Sequence, residues 1–197
     1  MSENKSTKLI RKPTKQKMTG LAIVFAWIFL WNVIYQVLHH AGLLEFGGLQ
    51  IVNWAFFLSV TVYFMQEELT HEQRFFHTLV GGTVGLLIGA GITKFVPVLM
   101  KTGLGKLPAT CLLLAVALGL LIFLEPVLPM FFNNVGFCYF IVSHVFTEKN
   151  AVEMLPSYIV SLVLGSICLN LGCMFLLKAY GKAVAKKKAK ETALAGK

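Results

Sequence analysis

The sequence predicts an all-α integral membrane protein whose six transmembrane helices form an inverted repeat of three plus three. Three observations carry this: the length of its apolar runs, the placement of its charges, and a self-similarity between its halves. Of 197 residues, 56% are hydrophobic and 14% charged, with a mean hydropathy of +0.72. Soluble domains average about 25% charged residues.

Crossing the hydrocarbon core takes roughly 20 apolar residues in a helix. Six such runs stand between charge or turn clusters, at about 20–44, 49–66, 76–100, 107–124, 127–146 and 154–180. None alternates as barrel strands do. The first follows a basic stretch but is too long for a signal peptide and lacks a small-residue cleavage pattern, so it reads as a retained helix. The intervening loops are short and leave no room for a soluble domain.

Lysine and arginine gather in the tails. Residues 1–19 carry Lys5, Lys8, Arg11, Lys12, Lys15 and Lys17, and 182–197 carry Lys182, Lys186, Lys187, Lys188, Lys190 and Lys197, with Lys178 just before. Such clusters stay on the cytoplasmic side. Both ends are therefore expected inside, which needs an even number of crossings. Lys94, Lys101 and Lys106 dissent from the far side, but the tails outnumber them. The net charge of +9 is thus mostly tail charge, matched to anionic lipid. No recognition motif accompanies it, so nucleic acid is not an expected partner.

Shifted by 76 residues, the chain pairs Phe56 with Phe132, Tyr63 with Tyr139, Phe64 with Phe140 and Glu72 with Glu148, then Leu79, Val84, Leu86 and Gly89 with Leu155, Val160, Leu162 and Gly165. Gly81, Gly85 and Gly89 place a small residue at every fourth position of the third helix, and Ser157, Ser161 and Gly165 repeat that pattern in the sixth. Small residues at this spacing let another backbone approach closely. Two halves of three helices each, about 20–100 and 107–181, enter the membrane from opposite sides, the inverted arrangement of many transporters.

Polar groups within a bilayer are costly and therefore informative. Asn32, Gln36 and His39 share one face of the first helix, where they either line a polar path or bond to a neighbouring helix. Asn133 and Asn134 replace the repeat's Phe57 and Leu58. They either contact a solute or bond carbonyls freed by Pro126 and Pro129. Glu125 ends an apolar run and is expected at an interface, like His144. Tyr63 and Tyr139 fit interfacial anchoring as well as path lining.

Cys111, Cys138, Cys168 and Cys173 lack metal-ligand spacing and read as core residues. The segment QEELTHEQR reads as a solvated turn without a metal site. The Asn4-Lys5-Ser6 sequon, on a cytoplasmic tail, is expected to be inert. No nucleotide loop, zinc-protease helix or nucleophile elbow is present, and neither an enzyme nor a cofactor is expected.

The segment WAFFLSVTVYF, then a polar turn and a glycine-rich helix, resembles the small bacterial inner-membrane proteins of the family called domain of unknown function 1097. Trp54, Ala55, Phe57, Leu58, Thr61, Tyr63 and Phe64 match its Trp-Ala-x-Phe-Leu-x-x-Thr-x-Tyr-Phe pattern. Pro129, Phe132, Leu155, Pro156 and Ser157 match its second unit. Family members tend to have small residues where this chain has Asn133 and Asn134, and the long basic N-terminal tail is additional. The resemblance implies a bacterial inner-membrane protein without an established activity.

The expected function is a channel or secondary transporter for a small solute. Its path would be lined by the first, second and fifth helices and by Asn32, Gln36, His39, Tyr63, Glu125, Asn133, Asn134 and Tyr139. The alternative is an accessory or assembly subunit whose flat glycine and serine faces pack against a partner. The lipid bilayer and a small solute are the expected partners, with self-association left open.

Overall fold

The computed structural model describes residues 14–145 and 151–195, with side chains for 14–143 and 151–192. Lys5, Lys8, Arg11, Lys12, Asn4, Glu148 and Lys197 lie outside the described residues, as does the His144 side chain. Helix α1 spans Lys15–His40, α2 Asn53–Met65, α3 His71–Met100, α4 Lys106–Leu124, α5 Asn134–Val145 and α6 Ala151–Gly165. A π-helical turn, Ser166–Leu171, joins α6 to α7, Gly172–Ala195. Strands β1 (Glu45–Phe46) and β2 (Leu49–Gln50) form a small antiparallel ribbon ahead of α2.

Among the described residues, four helices are long and apolar enough to cross a membrane: α1, α3, α4 and the continuous helix Ala151–Thr192. The expected spans 49–66 and 127–146 are not full-length helices. Within the described residues their helical parts have 13 and 12 residues, or about 20 Å at 1.5 Å per residue. Gly47 and Gly48, both with positive φ, turn the β-ribbon. Pro126 and Pro129 lie in the irregular segment ahead of α5, where a ring nitrogen cannot donate to a helix. An apolar run shows its helical length only if nothing inside it breaks the ladder.

Irregular backbone packed against a helix survives where side chains satisfy its amides. Here the α6 serines do so. The Gln50 amide donates to Ser157 Oγ at 3.1 Å and the Val52 amide to Ser161 Oγ at 2.7 Å. Tyr35 Oη adds a bond to the Ile51 carbonyl.

The small-residue ladders form the contacts between the two sequence halves. Gly81, Gly85 and Gly89 of α3 meet Asn133, Gly136 and Ser143 in turn, so α3 and α5 run parallel. Ser157, Ser161 and Gly165 of α6 meet Gln50, Val52 and Phe56 in the same sense, so α6 and α2 run parallel. A Cβ on Gly85 would collide with the Gly136 carbonyl oxygen, and one on Gly165 with that of Phe56. Backbone thus touches backbone at both places. These faces are buried inside the molecule and are not free for a foreign partner.

Helices α3 and α6 also pack on each other, α4 lies against α3, and α1 lies against α7. Gly20 faces Leu177 and Tyr180, while Trp27 faces Gly172, so α1 and α7 are antiparallel. Trp27 Nε1 donates to the Cys168 carbonyl within the π turn at 3.1 Å. A π turn leaves carbonyls out of the regular ladder, and the indole captures one.

The 76-residue register does not hold for α2 and α5. Phe132 precedes α5, whereas its expected partner Phe56 is inside α2. The residues in matching places are Ser59 and Ser143, which donate to Phe56 O and Phe140 O and lie against Gly165 and Gly89 respectively. Ser59 and Ser143 are 84 positions apart, while Gly89 and Gly165 are 76 apart. The serine pairing is thus displaced by two turns from the 76-residue register, and α5 begins only after the irregular segment that carries Pro126 and Pro129.

One end of the bundle gathers the start of α1, the α2–α3 turn and α7. Lys178 pairs with Glu72 there, and Tyr180 Oη donates to the Gln16 carbonyl. The C-terminal basic segment is helical to Ala195, continuous with the membrane helix.

Candidate functional site: an acidic vestibule

At the same end, a cavity of about 600 Å³ lies between the α2–α3 turn and the α4–α5 segment. Its lining includes Gln66, Glu67, Glu68, His77, Glu125, Asn133, Asn134 and Cys138. Glu67, Glu68 and Asn134 are exposed, Glu125 and His77 half-buried, and the lining residues Val62 and Val135 fully buried. Those two valines belong to an apolar cluster with Ala55, Leu86, Tyr139, Tyr158 and Leu162.

The α2–α3 side of the vestibule is held rigidly. Thr70 caps α3 in a capping box with Gln73, which fixes where the helix begins. Arg74 Nε donates to Leu69 O at 2.8 Å, and its Nη2 to Glu67 O at 2.7 Å. Gln66 Nε2 bridges Val62 O and the buried Thr78 hydroxyl. With carbonyls held by one guanidinium, the Glu67 and Glu68 carboxylates stand on a fixed turn.

On the opposite side Asn133 is a helix cap. Its Oδ1 accepts from the Gly136 amide at 3.0 Å, satisfying a donor of the first turn of α5. Its Nδ2 donates to Pro129 O at 2.9 Å, closing the proline turn. Of the two roles open to this residue in the sequence, carbonyl bonding is the one seen. Asn134, one position on, is free of that duty and faces the vestibule.

The other predicted path residues do not converge here. Asn32, Gln36 and His39 are exposed on α1, away from the cavity, with His39 stacked on Tyr35. Tyr63 and Tyr139 are fully buried and anchor no interface. Tyr63 Oη bonds His71 Nδ1, and Tyr139 Oη donates to the Ala55 carbonyl, both at 2.8 Å. Path and belt readings both fail for the tyrosines, because each hydroxyl is committed to a partner inside the fold.

Sequence reasoning missed Glu67, Glu68 and His77 as parts of one site. A charge cluster in a turn signals solvation, and nothing in the sequence shows that the α4–α5 segment folds over it. It also missed the π turn, where Ser166 Oγ and Asn170 Oδ1 are buried with no hydrogen-bond partner among the described residues. Among the described residues, no group of three His, Cys, Asp or Glu side chains is placed to hold a metal ion, and the four cysteines are free.

Three acidic side chains thus border one cavity, with the Arg74 guanidinium bonded to the backbone of the same turn. Amides at Gln66 and Asn134 add donors and acceptors. No family model, curated protein or solved structure matches the chain.

Proposed function

We propose that the chain is a secondary transporter for a small solute, built as an inverted three-plus-three repeat in a bacterial inner membrane with both termini cytoplasmic. The observation that carries this is the vestibule, polar at its mouth and adjoining an apolar cluster made by helices from both halves. A cavity of this kind is what one stage of alternating access requires. The path would run from Glu125 and Asn134 inward past Val62 and Val135, between helices of both halves. Glycine contacts between α3 and α5 supply flat surfaces on which one half could rock against the other.

The inverted repeat is supported by the exchange of partners. Helix α2 packs parallel to α6, and α5 parallel to α3, while the α2–α3 turn folds α2 back on α3. The basic tails support the orientation, which puts the vestibule on the cytoplasmic side. Flux through proteoliposomes tests the reading with a panel of small neutral solutes, carboxylates and cations. Transport above empty vesicles, reduced in Glu125→Gln and Asn134→Ala, is expected. Absence of flux across the panel overturns it.

An accessory subunit is the second reading. The amides on the outer face of α1 favour it, since they call for a neighbour in the membrane. Purification in gentle detergent with a stoichiometric foreign protein would decide for it.

A further inference from the structure

Asn32 and Gln36 stand one turn apart on the outward face of α1, and both are exposed. Neither makes a hydrogen bond among the described residues. The inward face of the same helix carries Trp27, Trp31 and Tyr35, which pack on the core. Asn32 lies eight residues before the helix end at His40, about 12 Å along the axis. Its side chain is too short to reach the interface, so in a lone molecule a primary amide would face lipid. Hydrocarbon offers that group no partner.

Helix α4 is the contrasting case, lying outside α3 as α1 lies outside α7. Its outward residues include Leu112, Val116, Leu120 and Phe123, all apolar and suited to acyl chains. The two peripheral helices therefore differ in exposing amides on one and only apolar side chains in the corresponding stripe of the other.

We propose that the outward face of α1 is a homodimer interface in which Asn32 and Gln36 bond across a twofold axis along the membrane normal. Two copies inserted in the same sense bring each Asn32 to the same depth as its counterpart. A carboxamide both donates and accepts, so a residue meeting itself across a twofold axis is satisfied without any other partner. No such complementarity is offered by the apolar face of α4. The inference is independent of the transport reading, and it competes with the accessory-subunit reading for the same two amides.

The test uses the full chain in its native membrane with the exposed Cys111 replaced by serine. Asn32→Cys is expected to form a disulfide-linked dimer on mild oxidation, and Leu120→Cys on α4 is not. In gentle detergent the wild type is expected to have the mass of two chains. The double variant Asn32→Leu, Gln36→Leu should raise the dimer dissociation constant about tenfold or more, as loss of interhelical amide bonds predicts. Failure of Asn32→Cys to cross-link overturns the proposal. So does a double variant that dimerises as tightly as the wild type, or a foreign protein bound one-to-one on this face. The cysteine variant keeps the test sharp even if the leucine variant does not accumulate.

Discussion

Alanine at position 85 probes the ladder where it is tightest. The added methyl would collide with the carbonyl oxygen, carbon and Cα of Gly136. No rotamer change can relieve a backbone clash, so α3 and α5 must separate along the interface that joins the two halves. Overpacking in a well-filled core costs typically 1–3 kcal/mol, and a backbone contact belongs at the upper end, about 3 kcal/mol. For a chain of this length that corresponds to a midpoint lowered by about 6 to 12 °C. Gly91→Ala, on the same helix, is the control. Its Cβ would meet nothing within 4 Å, and better helix propensity should stabilise it by up to about 1 kcal/mol. Thermal unfolding of both variants in mild detergent, followed by size exclusion, measures the difference. If Gly85→Ala melts with the wild type, the close approach of α3 and α5 is wrong.

Ser161→Ala removes the acceptor of the Val52 amide and the donor to Ser157 O. It is expected to lower stability by about 1–3 kcal/mol and to speed amide exchange at Val52 in hydrogen–deuterium experiments. Asn133→Ala should cost about 1–2 kcal/mol through the lost cap, whereas Asn134→Ala should leave the melting midpoint unchanged. Equal effects of these two on stability would contradict their separate roles. Trp27→Phe leaves the Cys168 carbonyl without its indole donor, and a loss of about 1 kcal/mol is expected in the same melting assay.

Length and hydropathy made α1, α3, α4 and the last membrane helix legible, because each is an unbroken apolar run. They overstated the second and fifth, since apolar residues in a ribbon or proline turn raise hydropathy as much as those in a helix. The ladder of Gly81, Gly85 and Gly89 was legible as a packing face from its spacing alone. Its partner was not, because a spacing carries no address. The stripe of Asn32 and Gln36 illustrates the same limit. Periodicity places both on one face, but whether that face points inward depends on which side the tryptophans of α1 bury. Asn133 stood out as a departure from the 76-residue match, and in the fold it caps the first turn of α5 and closes the proline turn ahead of it.

The bonds from Gln50 and Val52 to the serines of α6 have a bearing on biogenesis. The Gln50 amide and its acceptor Ser157 are 107 residues apart in the chain. At roughly 5–20 residues per second, the ribosome reaches that acceptor about 5 to 20 seconds after making the donor. Over that interval the lead-in to α2 has no protein acceptor for these amides, and hydrocarbon will not hold them. Helix α2 is also too short to span alone. These amides gain their acceptors only when α6 is made, so the first half of the protein is completed by the synthesis of the second.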